Sequence, residues 1–294
     1  MKSRLRFAGL GLGLLLLLAG CVPLEVVDAE RTASFVVTAD PVELQVESSN
    51  GDVEIIGFPG ATTVHVTART WSRGTTTAEA MARLARVSVD MIQEGNRITL
   101  RYDAASHDLD VRRYSGVDFR VEVPEETHAD VDTTNGWIQV EQISGVLDLE
   151  TSNGRIDVEE SLTEATARSS NGRIRFEDVE GILDLRTSNG RIELENVDGV
   201  VHGETSNGSI TYSGYLYPDV DHSLTTTNGA INLALRSDAS LTIDAQVTNG
   251  QIASTLPLVG DTEGNAWLAV LNAPAAGKLT LRTSNGQITM HGIF

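Results

Sequence analysis

An Asn-Gly dipeptide returns along this chain at a fixed interval, and that interval limits the fold more than any other feature. Between Asp132 and Tyr212 the segments TTNGWIQV, TSNGRIDV, SSNGRIRF, TSNGRIEL and TSNGSITY succeed one another. Their asparagines, Asn135, Asn153, Asn171, Asn189 and Asn207, lie 18 residues apart. The step lengthens to 21 residues for Asn228 and again for Asn249. It then reaches 36 for Asn285, two periods of 18 with one Asn-Gly missing. Asn50, in SSNGDVEI, is an early copy. A constant period with identical punctuation marks a chain built of stacked, similar units.

The interior of each unit is regular as well. Three residues after the Asn sits a β-branched aliphatic: Val53, Ile138, Ile156, Ile174, Ile192, Ile210, Ile231, Ile252 or Ile288. Two further on come Ile55, Val140, Val158, Phe176, Leu194, Tyr212, Leu233 and Met290, with Ser254 the polar exception. Four before the Asn lie Val46, Val131, Leu149, Ala167, Leu185, Gly203, Leu224, Ala245 and Leu281. Residues at i and i+2 share a strand face, so each unit reads as two short half-buried strands flanking an Asn-Gly corner. Gly145, Gly181 and Gly199 mark a second turn.

Two architectures accommodate this pattern. In an antiparallel meander each Asn-Gly is a type I′ hairpin turn. In a β-solenoid each unit is one coil, and equivalent residues stack about 4.8 Å apart. The solenoid fits better, because stacked Asn amides can bond along the axis as a ladder, whereas a meander gains nothing from identical corners. Arg155, Arg173 and Arg191 would then be like charges in adjacent coils, with Asp157, Arg175 and Glu193 alternating in sign beside them. The expectation is all-β: a β-helix-like solenoid of 18–21-residue coils, plus one short helix in the N-terminal part.

The first residues read as a processing segment. Lys2, Arg4 and Arg6 precede an apolar run, Leu10 to Leu18, that is short for a bilayer span. Leu18-Ala19-Gly20-Cys21 resembles a bacterial lipobox, which implies cleavage before Cys21 and acylation of its thiol. More than one acyl chain there gives stable anchoring. Cys21 is the only cysteine, so the mature chain has no disulfide and no cysteine metal site. Val22 follows it rather than Asp, which favours an outer-membrane address in a host with two membranes. The expected organisation is 1–20 lipoprotein signal peptide, 21–33 lipidated tether and 34–294 solenoid, with regular repeats from about residue 131.

Removing the signal leaves 19 Lys+Arg against 41 Asp+Glu, a net of −22. That acidity argues against nucleic-acid binding, which wants a basic footprint. Residues 34–130 alternate apolar and polar in SFVVTA, VELQVES, DVEIIGF, TVHVTART, NRITLRYD and VDFRVEVP. A capping box, Thr76 with Glu79, opens a helix with an apolar stripe of Ala80, Met81, Leu84 and Val87, suited to covering an end or side of the solenoid. Near the C-terminus, LVGDTEGNAWLAVLNAPAAG reads as a loop or irregular coil before KLTLRTSNGQITM restores the pattern.

The order of strands, an Asn-Gly, a short helix, a V-x-V-P and then TTNGWIQV with its TSNG copies resembles the bacterial putative-adhesin family of β-solenoid envelope proteins. The resemblance spans about residues 34–294. It implies a β-helix-like fold and an envelope location, and brings no catalytic motif.

The chain has no nucleophile-elbow, zincin, Walker or dinucleotide-binding signature. Its histidines, His65, His107, His128, His202, His222 and His291, lack ligand spacing. His107-Asp108-Leu109-Asp110 is the nearest approach to a metal cluster, with a solvated loop as its plainer reading. Asp52, Glu159, Glu160, Glu177 and Asp178, beside the turns, suit at most weak calcium binding. Trp71, Trp137 and Trp267 share no repeat position, and Tyr212, Tyr215 and Tyr217 make either a small binding patch or coil filling. No catalytic residue, cofactor or metal site is assigned, and Cys21 is the one modification site. The function expected is a non-enzymatic, lipid-anchored envelope protein for adhesion, scaffolding or protein interaction. The alternative is a carbohydrate-binding or carbohydrate-active solenoid.

Overall fold

A computed structural model describes residues 24–38, 41–104, 108–275 and 277–293. Cys21, the signal segment and His107 lie outside the described residues. The N-terminal part holds β1 (Glu25–Val36), β2 (Val42–Glu47), β3 (Val53–Phe58) and β4 (Thr63–Gly74). After helix α1 (Thr77–Leu84) come β5 (Val87–Glu94), β6 (Arg97–Ala104), helix α2 (Leu109–Tyr114) and β7 (Ser115–Pro124). The repeats supply β8 (Thr127–Thr133), β9 (Ile138–Glu141), β10 (Ser144–Thr151), β11 (Ile156–Glu159), β12 (Leu162–Ser169), β13 (Ile174–Thr187) and β14 (Ile192–Thr205). They continue with β15 (Ile210–Leu216), β16 (Asp221–Thr226), β17 (Ile231–Arg236), β18 (Leu241–Asn249) and β19 (Ile252–Ser254). Last come β20 (Leu258–Asp261), β21 (Ala266–Leu271), β22 (Gly277–Asn285) and β23 (Ile288–Ile293).

The chain winds as a solenoid. Strands that precede an Asn-Gly stack in parallel in one ladder, and strands that follow it stack in parallel in a second. Register is kept at one coil per period: Ile138, Ile156, Ile174, Ile192 and Ile210 are successive partners, and so are Leu149, Ala167, Leu185 and Gly203. The isoleucine column and the column beyond it fill the core, with Ile174, Phe176 and Leu194 fully enclosed. The first 21-residue step does not break the columns, since Ile210 still meets Ile231 and the extra residues fall between β15 and β16. The meander is excluded. A type I′ turn needs φ > 0 at both central residues, and no asparagine of the nine corners has it.

At both ends, sequence order and spatial order part company. The first coil, β2–β3, lies between β6–β7 and β8–β9. The last coil, β22–β23, lies between β16–β17 and β18–β19. The long interval before Asn285 is therefore not a defective coil. Its residues form the antiparallel pair β20–β21, and β21 lies antiparallel on β18 to close that ladder. The expected loop is a hairpin because Ala266, Leu268 and Val270 alternate with Trp267, Ala269 and Leu271 across a strand. At the other end β5 closes one ladder on β6, and β4 with β1 closes the other on β7.

Two further readings change. The stretch expected as a tether is strand from Glu25, in register with β4 from Glu25↔Gly74 to Val36↔Thr63. The helix forms where expected, with Thr76 Oγ1 accepting from the Glu79 N–H at 3.2 Å, but Met81 faces solvent. Ala80 and Arg83 are buried instead. Arg83 donates to Asp110 and to the Arg73 carbonyl, both at 2.6 Å, and pairs with Glu79, so a guanidinium ties α1 to α2 and β4. Asp108 caps α2, a second helix occupying the place where this coil would otherwise carry its Asn-Gly.

Candidate functional site

Three surfaces are built by the stacking, and the Asn-Gly corner is the most regular. Its nine asparagines form one column in the order Asn50, Asn135, Asn153, Asn171, Asn189, Asn207, Asn228, Asn285, Asn249. Each Nδ2 donates to the Oδ1 of the rung before it at 2.7–2.9 Å. The first rung, Asn50, donates to the Ser115 carbonyl at 3.1 Å and also to that of Arg112. All eight inter-coil bonds point one way, so each amide polarises the next.

The flanking residues have separate tasks. Two before each Asn sits a buried hydroxyl, except at Asn249, where Val247 takes the place. Thr151, Ser169, Thr187, Thr205, Thr226 and Thr283 each donate to the glycine carbonyl of the preceding coil at 2.8–3.0 Å. In three middle coils the same oxygen accepts from its own glycine N–H: Thr151 from Gly154, Ser169 from Gly172, Thr187 from Gly190. Ser48 stands where this column begins, with no such glycine before it, and its Oγ is without a partner among the described residues. At every corner but those of Gly51 and Gly250, glycine is required for closeness rather than for a positive φ. A Cβ on Gly172 would stand 1.6 Å from the Gly154 oxygen.

The outer face of the second ladder is an ion-pair lattice. Arg155 and Arg173 both reach Asp157, at 2.6 and 2.8 Å, while Arg173 and Arg191 share Glu193 at 3.4 and 2.8 Å. Arg175 bridges three coils through Glu159, Glu177 and Glu195 at 3.6, 2.6 and 3.0 Å. The like-charged arginine column is thus interleaved with carboxylates. Burial and the neighbouring Glu177 push the Glu159 carboxyl up, while the bond to Glu195 raises the Arg175 guanidinium further.

The third surface is a recess of about 490 Å³ at the N-terminal end, beside the first rung of the amide column. Asp52, Arg69, Trp71, Arg73, Arg113 and Asp118 line it. Trp71 Nε1 donates to Asp118 Oδ1 at 3.2 Å, and that oxygen also accepts from the Asp52 N–H at 3.1 Å. Asp52 Oδ1 accepts from the Trp137 N–H at 3.0 Å, and burial pushes its carboxyl up. The Arg73 guanidinium lies over the indole, 4.9 Å from the ring centre.

The residues singled out from sequence scatter among these surfaces. Glu159 and Glu177 are spent on Arg175. Glu160 accepts from Gln142 at 3.0 Å, and Asp178 accepts from Asn196. Those four form the second corner, where Gln142, Glu160, Asp178 and Asn196 all have φ between 49° and 57°. Their spacing of 18 and their amide or carboxylate character were legible signals of a turn column. Asp108 and Asp110 serve α2 and the arginines Arg86 and Arg83. Tyr212 is coil filling, buried with its hydroxyl donating to the Val197 carbonyl at 2.8 Å, so no patch can include it. Tyr215 and Tyr217 remain at the surface with ring centres 6.4 Å apart. Tyr217 donates to Glu180, which lifts its hydroxyl to about 12. Among the described residues no group of three His, Cys, Asp or Glu side chains is arranged to hold a metal ion. No helix among them is long and apolar enough to cross a membrane.

Residues 160–291 match the family described as Toastrack DUF4097. No curated protein matches the chain. Three solved structures are similar to it. One is titled a putative adhesin from Bacteroides fragilis NCTC 9343, 12% identical over 90% of this chain and 97% of that one, with a TM-score of 0.48. A putative lipid binding protein from Parabacteroides distasonis ATCC 8503 is also 12% identical, with the same coverages and a TM-score of 0.40. A putative cell adhesion protein from Clostridium sporogenes ATCC 15579 is 8% identical over 90% of this chain and all of that one, with a TM-score of 0.29.

Proposed function

We propose that this chain is a non-enzymatic envelope protein, anchored through acylated Cys21, whose solenoid is a rigid display and spacer body for adhesion, scaffolding or protein contact. The observation that carries the reading is the use of polar side chains. The corner amides bond to one another along the stack, the hydroxyls bond to glycine carbonyls of the preceding coil, and the arginines and carboxylates of the second ladder neutralise one another across coils. Such ladders stiffen a body and present side chains in fixed columns about 4.8 Å apart. The Toastrack match and the adhesion wording attached to similar structures agree with this use. Because β1 starts at Glu25, an anchor at Cys21 would hold the N-terminal end of the stack against the bilayer.

Metabolic labelling with an alkyne fatty acid tests the anchor: label on the wild type and none on Cys21→Ser is expected, and equal labelling would refute it. Protease treatment of intact and permeabilised cells then separates adhesion from an internal scaffold. Digestion in intact cells supports adhesion. Protection until permeabilisation supports a periplasmic scaffold.

A glycan-binding reading has one observation in its favour, the recess in which Trp71 stands beside Asp52, Asp118, Arg69, Arg73 and Arg113. Binding of cell-wall glycans that is lost in Trp71→Ala with the fold intact would favour it. Equal binding by the variant would remove it.

A further inference from the structure

We propose that Asn249 is a site of spontaneous modification, where the last rung of the amide column converts to aspartate and isoaspartate while the eight other Asn-Gly pairs stay protected. The reaction is internal. The Gly250 nitrogen attacks the Asn249 side-chain carbonyl carbon and loses its proton to water or hydroxide. The carbon–Nδ2 bond breaks and ammonia leaves, giving a succinimide. Water then opens the ring at either carbonyl, so the balance is one water consumed and one ammonia released. Every corner asparagine is followed by glycine, the residue least able to hinder this attack, so their intrinsic reactivities are alike and only the fold can separate them.

The fold does separate them. In the middle coils the attacking N–H is held by a buried hydroxyl, as Gly154 is by Thr151 and Gly190 by Thr187. The asparagine amide is fixed on both sides, Asn171 donating to Asn153 and accepting from Asn189. Those glycines are buried. At Asn249 three restraints are lost together. Val247 replaces the hydroxylated residue, so Gly250 has no such acceptor for its N–H. The Asn249 Nδ2 donates to Asn285 at 2.9 Å, but no further rung among the described residues donates to its own Oδ1. Gly250 and Asn249 are both exposed, which admits the water and base the steps require. Conversion would put a carboxylate against the Asn285 Oδ1, replacing the last hydrogen bond with repulsion.

The test is peptide mapping of the purified full chain, aged in mildly alkaline buffer, with each Asn-Gly peptide scored for amide-to-acid conversion. In the folded protein Asn249 should convert about tenfold or more faster than Asn153, Asn171 and Asn189. In denaturant all nine should converge on one rate. Val247→Thr should slow Asn249 in the folded protein and leave its denatured rate unchanged. Conversion of Asn249 no faster than the middle rungs would overturn the proposal. So would a rate advantage that persists in denaturant, or a folded Val247→Thr protein in which Asn249 ages as before.

Discussion

The middle of the stack and its two ends obey different rules. From Asn135 to Asn207 the next coil in sequence is the next coil in space, and one repeat templates another through parallel strands, an amide rung and a hydroxyl-to-glycine bond. At the ends the chain leaves the stack, builds antiparallel strands and returns to insert a coil beneath them. The difference teaches why repetition cannot continue to the termini. A coil is completed only by a neighbour on each side, so a stack of identical coils would end in two open ladders ready to pair with other chains. Irregular sequence is what stops the sheet. The N-terminal end adds helices and the Arg83 knot, while the C-terminal end relies on a short hairpin and leaves its last amide half-satisfied.

The largest way to break this contrast is a charge in the middle core. Ile174→Asp removes a side chain with no exposure and should cost about 4 kcal/mol or more, read as loss of the folded baseline in urea. Retained stability would overturn the core column. Next is Gly172→Ala, whose Cβ collides with the Gly154 carbonyl; about 3 kcal/mol is expected. Gly264→Ala, in open space with φ +70°, should cost only about 1 kcal/mol. Equal effects would mean that coil spacing is not what selects glycine. Third, Asn171→Ala strands one donor and one acceptor and should cost about 2 kcal/mol, against less than about 1 kcal/mol for the end rung in Asn249→Ala.

The smallest effect is on pH. His222 is buried, with Nδ1 accepting from the Val201 N–H and Nε2 donating to the Tyr217 carbonyl, and it braces the first 21-residue step. Burial, aided by nearby His202 and opposed by the Tyr217 bond and Asp221, holds its value below the ordinary 6.5. Below that pH the unfolded chain takes up a proton that the folded state resists. Its contribution to stability is therefore full above 6.5 and falls as the solution is acidified toward the lower folded value. Urea midpoints measured on both sides of this window should drop on acidification in the wild type, and drop less in His222→Gln.

Sequence disclosed what repetition enforces. The core columns at Ile174, Phe176 and Leu185, the amide ladder and the capping box at Thr76 all follow from period and residue type, since the same environment is met at every copy. It could not disclose the ends. Nothing in KLTLRTSNGQITM distinguishes a coil added after Asn249 from one inserted before it, because both offer the same hydrogen bonds locally. The Trp71 recess was hidden for a related reason: Trp71, Arg113 and Asp52 come from three segments brought together by the β4–β7 pairing and by the inserted first coil. Tyr212 misled because it sits among surface tyrosines in sequence while its position is a core column.

The central claim is that a terminal coil is inserted into the stack, and cysteine cross-linking in a Cys21→Ser background tests it directly. Thr227 and Ser284 occupy equivalent corner positions in coils that touch, whereas Thr227 and Thr248 are separated by the inserted coil. Neighbouring coils stand about 4.8 Å apart, within disulfide reach, and alternate coils about twice that, outside it. Oxidation should therefore join Thr227→Cys to Ser284→Cys and leave Thr227→Cys with Thr248→Cys unjoined. A disulfide in the second pair and none in the first would show coils stacked in sequence order, and would contradict the account.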